Sequence, residues 1–271
     1  MGLHDSDKSF VGSLPQIYQS HLVPLIFEPY ADDLAGRLSR RPPQRLLEVA
    51  AGTGAVTRTL ASTLPAATSI VASDLNQPML DQATAAGTSR PVEWRRADAL
   101  DLPFEDGAFD VVVCQFGAMF FPDKAKAFSE SRRVLRPGGT FLFTVWDRIE
   151  ENEFADTVTA TLAEQFPSDP PRFLARTPHG YTNTAIIQQD LAAGGFTAKP
   201  DIVAVPARSR AASPDIPAIG YCQGTPLRNE IEARGASLNE TSAVVTEALA
   251  RRYGRGAVEG MIQAIVIEVA R

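Results

Sequence analysis

Leu47-Glu48-Val49-Ala50-Ala51-Gly52-Thr53-Gly54 decides how this chain is read. A short apolar strand, Arg45–Ala50, runs straight into a string of small residues. A helix follows at once, with Val56, Leu60 and Leu64 as its buried stripe and Pro65 as its stop. Small residues at such a junction let a ligand approach the backbone, and the first turn of the helix offers free N–H groups.

Outward from this junction, strands and helices alternate from Arg45 to Trp146. Further strands are expected at Ser69–Ser73, Val92–Ala97, Asp110–Gln115 and Thr140–Trp146. The run Val111-Val112-Val113 suits a strand buried on both faces. Asn76 is placed to cap a helix that has Pro78 in its first turn. Ala125–Leu135 reads as a helix and Arg136-Pro137-Gly138-Gly139 as a sharp turn. Such alternation implies parallel crossovers and a doubly wound sheet. In that sheet Glu48, Asp74 and Asp98 fall at the carboxyl ends of successive strands, where ligands bind.

Five ordered blocks carry a resemblance. Residues 47–54 resemble the first motif of class I S-adenosylmethionine-dependent methyltransferases. Ala72–Leu80, Arg96–Phe104, Phe109–Gln115 and Arg133–Gly139 resemble the second-, third- and fourth-strand motifs and the turn before strand five. The likeness spans about residues 44–147 and is nearest to the small-molecule branch that includes the ubiquinone and menaquinone methyltransferases. Ala50 departs from it, standing where many members have glycine.

The resemblance implies an α/β fold: a doubly wound, mainly parallel, seven-stranded Rossmann-like sheet with an antiparallel last strand and helical cap segments. It implies S-adenosyl-L-methionine as cofactor and S-adenosyl-L-homocysteine as product. Asp74 would hold both ribose hydroxyls, since a carboxylate has two acceptor oxygens. Asp98 would accept from the adenine amine, with the Ala99 N–H donating to a ring nitrogen. Leu75 and Met79 would wall the adenine. Glu48 would lie near the methionine ammonium, with Ala50, Gly52, Thr53 and Gly54 forming the loop around the amino-acid end. Tyr18 would close over that end, and Gln115 and Phe116 would border the methyl group.

Four segments follow: a helical cap at 1–43, a cofactor-binding core at 44–147, a mixed segment at 148–257 with a lid and a helical insertion, and a final strand within 258–271. In the cap, Tyr30, Leu34 and Leu38 recur on one helix face before Arg40-Arg41-Pro42-Pro43 breaks it. Beyond Trp146 the pattern gives helices at Phe154–Gln165 and Asn183–Ala193 and a proline-rich loop at 167–178. A strand is expected at Thr197–Pro206, a mostly helical stretch over Pro214–Tyr253, and an apolar strand at Met261–Ala270 that suits an edge of the sheet. This periphery would choose the acceptor.

In-line displacement from a sulfonium relies largely on alignment. His179, beside Tyr181 in the loop region, is the candidate catalytic base for a hydroxyl acceptor, although a solvated loop histidine explains it as well. Tyr221 and Glu230 are further candidates for an acceptor pocket. Phe116, Phe120, Phe121, Phe154 and Phe166 point to an apolar or aromatic acceptor, or else to core packing.

Composition narrows the partners. The chain has 271 residues, 44% apolar and 21% charged, which fits a folded globular protein. Its 26 Lys and Arg against 32 Asp and Glu leave a net charge of −6, which gives no general attraction to nucleic acid or anionic membranes. The Asn/Asp-Pro-Pro-aromatic signature of amino-methylating DNA enzymes is absent, the corresponding stretch reading Cys114-Gln115-Phe116-Gly117. A small-molecule acceptor is therefore favoured over nucleic acid. Two cysteines and three scattered histidines (His4, His21 and His179) supply no metal-ligand spacing. No segment reads as membrane-spanning or secretory, so a cytoplasmic protein is expected.

Two other classes stand beside the enzyme reading. Gly52-x-Gly54-x-x-Thr57, with Asp74 20 residues after Gly54, imitates a dinucleotide fingerprint. Thr57 in place of the third glycine counts against a nicotinamide dehydrogenase. A non-catalytic S-adenosylmethionine-binding module would keep the same crevice.

Overall fold

Runs of β-branched and apolar residues bounded by Pro, Gly and Asn become a wound sheet. The computed structural model describes Asp7 and residues 12–271; His4 lies outside the described residues. The chain runs α1 (Leu14–Ile17), a π-helix (Tyr18–Phe27), α2 (Glu28–Ser39), β1 (Arg45–Val49), α3 (Ala55–Thr63), β2 (Ser69–Asp74), α4 (Gln77–Ala86), β3 (Glu93–Arg96), β4 (Phe109–Gln115), α5 (Lys124–Val134) and β5 (Leu135–Trp146). It continues through α6 (Glu153–Gln165), α7 (Phe173–Arg176), α8 (Thr184–Ala193), β6 (Asp201–Ala211), α9 (Asp215–Gln223), α10 (Leu227–Ala233), α11 (Leu238–Tyr253) and β7 (Val258–Ala270).

The seven strands lie in the order β3-β2-β1-β4-β5-β7-β6. β1 pairs in parallel with β2 and β4, Leu47 facing Val71 on one side and Val112 on the other. The strand order reverses between β1 and β4, which opens a crevice at their carboxyl ends. β7 runs antiparallel to β5: the Gly138 N–H donates to Arg271 O, whereas the Asp147 N–H donates to Gln263 O. β7 is not the edge strand expected, because β6 lies outside it. The sharp turn expected at Arg136–Gly139 is a bulge within β5. Phe109 faces Leu135, but the next pair is Val111 and Thr140. Pro137 has no N–H to give the ladder, and Gly138 at φ +76° turns the chain out of it.

The chain groups into two units. The second comprises Tyr30–Val145, Tyr181–Val205 and Ala264–Arg271. There Leu34 and Leu38 of α2, Val56 and Leu60 of α3 and Leu46, Ile70 and Val113 of the sheet form one buried cluster. The face expected from Tyr30, Leu34 and Leu38 is thus the one buried.

The first unit comprises Met1–Pro29, Trp146–Gly180 and Pro206–Gln263. Phe154 is fully buried there, edge-on to Tyr253 at 5.1 Å. The proline-rich stretch expected as loop contains α7. Glu230 on α10 accepts from the N–H groups of Arg172 and Phe173 at the start of α7 and pairs with Arg176 at 2.8 Å. Its carboxylate is therefore engaged in holding α7. Arg176 also donates to Asp7 at 2.9 Å.

Candidate functional site

Glu48, on β1, reaches the first turn of α3, just after the glycine loop. It is buried, and its Oε2 accepts from Thr57 Oγ1 at 2.6 Å. Thr57, which broke the dinucleotide fingerprint, is the residue that holds this acid. Burial pushes the Glu48 carboxyl up to about 8; the Thr57 bond and the Arg58 guanidinium pull the other way.

Asp74, closing β2, ties the crevice together. Its Oδ2 accepts from the Gly52 N–H at 2.9 Å and its Oδ1 from the Asn76 N–H at 2.8 Å. Burial raises its pKa and these bonds oppose the rise. Asn76 is the N-cap of α4, but its side chain makes no capping bond. The carboxylate of Asp74 takes the Asn76 N–H instead.

Gly52 and Gly54 are both left-handed, at φ +58° and +80°. A Cβ on Gly54 would lie 2.8 Å from the Trp94 ring and 3.2 Å from Ala83 Cβ, so that glycine serves packing against β3 and α4. Gly52 is open, with nothing nearer than Met79 Cε at 3.5 Å. Met79 is buried, with its Cε on the side of Gly52 that a Cβ would take. Thr53 is 1% exposed, and its Oγ1 has no hydrogen-bond partner among the described residues. An orphaned hydroxyl beside an open glycine fits a polar ligand group.

The adenine-side residues divide in the same way. Leu75 stands 42% exposed beside buried Asp74, as an apolar wall facing water. Asp98 is exposed, two residues past the end of β3, and its Oδ1 accepts from the Leu100 N–H at 2.9 Å. Ala99 is buried. The surface thus combines an exposed carboxylate, an exposed apolar face and a buried acid with two acceptor oxygens, an acceptor set that fits the hydroxyls and amine of a nucleoside.

Ala50 and Phe116 are the two non-glycine residues with positive φ among the described residues, at +57° and +53°. They end β1 and β4, the strands that flank the crevice, and strain of this kind gathers at functional sites. Gln115 precedes Phe116 at the end of β4 and is half-buried. The Phe116 N–H donates to Thr144 O at 3.0 Å, and its ring stands edge-on to Tyr30 at 5.3 Å. The methyl of Ala50 faces Gly117, where an added Cβ would lie 2.5 Å from Ala50 Cβ and 2.8 Å from Cys114 Sγ. Alanine is tolerated at 50 because glycine stands at 117. Gly117→Ala should therefore destabilise the protein by about 1–3 kcal/mol through overpacking; an unchanged urea midpoint would contradict this.

Tyr18 and His179 belong to the first unit. Tyr18 stacks on Phe27 at 5.0 Å, Phe27 packs on Trp146 at 6.0 Å, and Trp146 on His179 at 6.0 Å. The structure thus joins the two peripheral candidates through one aromatic row. Residues nine apart lie about 2.5 turns apart on an α-helix, hence on opposite faces. Only the wider i→i+5 winding brings Tyr18 and Phe27 together, and the cap bond from the Glu28 N–H to Val23 O shows that winding. His179 is no solvated loop residue. Its Nδ1 lies 2.7 Å from Asp147 O, which only accepts, so Nδ1 carries the proton and Nε2 keeps a lone pair. Burial lowers its pKa to about 4, so it is neutral at pH 7. Tyr181 instead donates to Asp190 at 2.6 Å in the second unit, and Tyr221 is buried.

Sequence reasoning missed Thr57, Thr144 and Trp146. Thr57 had a signal, being one helical turn into α3 after the glycine loop. Trp146 had only its place at the end of β5.

Comparison with known proteins agrees with this geometry. Residues 47–143 match the methyltransferase domain family model. A demethylmenaquinone methyltransferase from Thermus thermophilus is 45% identical over 101 residues, 36% of this chain and 46% of that protein. A ubiquinone/menaquinone biosynthesis C-methyltransferase from Idiomarina loihiensis is 33% identical over 145 residues, 52% of this chain and 53% of that one. The chain spans about half the length of the curated relatives it matches. Among solved structures, a [4+2]-cyclase shares the fold at TM-score 0.59 and 19% identity, covering 99% of this chain and 98% of its own. A phosphoethanolamine N-methyltransferase from Haemonchus contortus, solved with S-adenosylhomocysteine, shares it at TM-score 0.56 and 20% identity, covering 96% and 56%. The matched core, the crevice and the fold together make residues 47–143 a methyltransferase domain, similar to those of the class I S-adenosylmethionine-dependent methyltransferases.

Proposed function

We propose that the protein methylates a small, apolar or aromatic organic acceptor, with S-adenosylmethionine bound at the crevice of the second unit. The observation that carries this reading is the pairing of Asp74 with the Gly52 N–H beside the orphaned Thr53 hydroxyl. Asp74 would take the ribose diol, Asp98 and Ala99 the adenine edge, and Leu75 one adenine face. Glu48 would meet the ammonium, with Thr53 and the Ala50–Gly54 backbone around the amino-acid end. Gln115 and Phe116 would border the methyl. Met79 would wall the adenine with Leu75. When bound, the cofactor supplies a methyl on a positively charged sulfur, open to in-line attack.

The segments 1–43 and 148–257 would choose the acceptor. The row Tyr18–Phe27–Trp146–His179 supports an aromatic one, and the names of the curated relatives make quinol-like rings the first to assay. The acidic net charge supports a small molecule over nucleic acid. No helix among the described residues is long and apolar enough to cross a membrane, which is compatible with the cytoplasmic location we propose.

Calorimetry tests the cofactor. S-adenosylhomocysteine should bind and NAD should not; the reverse would overturn the reading. Binding without turnover across an acceptor panel would make the chain a non-catalytic module. His179→Ala tests the acceptor chemistry. A histidine with a pKa of about 4 is a weak base, so turnover should fall by less than about 100-fold. A loss of several orders of magnitude with cofactor affinity unchanged would make His179 the base for a hydroxyl.

A further inference from the structure

The turn carrying Asp98 is held at both ends. On one side the Ala97 N–H donates to Asp74 O at 3.0 Å. On the other, Leu102 is buried and its backbone is taken up by two side chains of α5. The Leu102 N–H donates to Glu130 Oε2 at 3.0 Å, and Arg133 Nη2 donates to Leu102 O at 2.8 Å. Arg133 Nη1 also donates to Phe104 O at 2.7 Å and to Asp106 at 2.8 Å. Between themselves Glu130 and Arg133 form a two-pronged pair, at 3.0 and 2.8 Å. Loops normally leave such backbone groups to water; here three of them end on one ion pair from a neighbouring helix.

We propose that Glu130 and Arg133 are positioning residues for adenine recognition, acting through the loop to hold the exposed Asp98 carboxylate and the Ala99 N–H in place. This rests on the cofactor reading above. Only a planar, forked cation can reach both carbonyls while gripping the carboxylate, so lysine at 133 keeps the charge and loses the clamp. The pair stays ionised over the working pH range, because the Arg133 bonds hold the Glu130 carboxyl down at about 2.

The experiment compares S-adenosylhomocysteine with S-inosylhomocysteine, in which a carbonyl replaces the adenine amine. The parent should prefer the amine form by about tenfold or more, since the carbonyl sets acceptor against acceptor at Asp98 and the N1–H that comes with it sets donor against donor at the Ala99 N–H. In Arg133→Lys the preference should shrink to within about twofold, matching Asp98→Asn, and Glu130→Gln should lie between. Damage to folding alone would lower both affinities together and leave their ratio untouched. Retention of the parent ratio in folded Arg133→Lys and Glu130→Gln overturns the clamp while the cofactor reading stands. No binding of S-adenosylhomocysteine by the parent overturns that reading, and the clamp with it.

Discussion

Asp74→Ala is expected to weaken S-adenosylhomocysteine binding by about 1–3 kcal/mol, the usual worth of hydrogen bonds to a charged group. The structure adds a second consequence. Asp74 is buried, and its two oxygens receive the N–H groups of Gly52 and Asn76. One carboxylate therefore joins the loop after β1 to the turn after β2. Alanine leaves both donors without an acceptor, so ligand-free stability should also fall by about 1–3 kcal/mol. Gly52→Val should hurt binding more. Gly52 lies at φ +58°, a region that costs an L-residue about 1–2 kcal/mol and costs a β-branched one most. Its side chain would also fill the open side of the loop. Calorimetry reads the affinities and thermal melts the stabilities. Both variants folding and binding like the parent would remove Asp74 and Gly52 from the site.

The core was legible because its signals are local. β1, β2 and β4 lie within one residue of their expected bounds, each being a short apolar run between turn residues. The acids at strand ends were legible for the same reason. What escaped depends on contacts distant in sequence or on unusual winding. The expected strand Thr197–Pro206 is displaced to Asp201–Ala211, because an edge strand tolerates Pro206 and continues through Arg208 and Arg210, which pair with Glu259. The π-helix carries no 3.6-residue stripe, so nothing in the spacing announced that Tyr18 would meet Phe27. His179 read as an exposed loop residue because its partners, Trp146 and Asp147, lie more than thirty positions earlier.

Glu48 should give the largest pH effect. Its folded-state carboxyl is raised from 4.5 to about 8 by burial, with Asp74 adding to the rise and Thr57 and Arg58 opposing it. A raised pKa means that the folded protein holds a proton which the unfolded chain gives up. The resulting stability is complete below the unfolded value and is lost as pH climbs through about 8. The full difference is of order 5 kcal/mol, from the free energy per pKa unit. Glu48→Gln keeps an oxygen for the Thr57 hydroxyl and has no proton to lose. The variant should match the parent near pH 5 and exceed its stability increasingly toward pH 9. Subtracting the two denaturation profiles isolates this residue from other groups that titrate in the window. An ammonium beside Glu48 favours the ionised carboxylate, so binding S-adenosylhomocysteine near pH 6.5 should release close to one proton from the parent and none from the variant. Calorimetry in buffers of different ionisation enthalpy counts that proton. Parallel stability profiles and equal proton counts would show that Glu48 is already ionised in the free protein and does not couple its charge to the ligand.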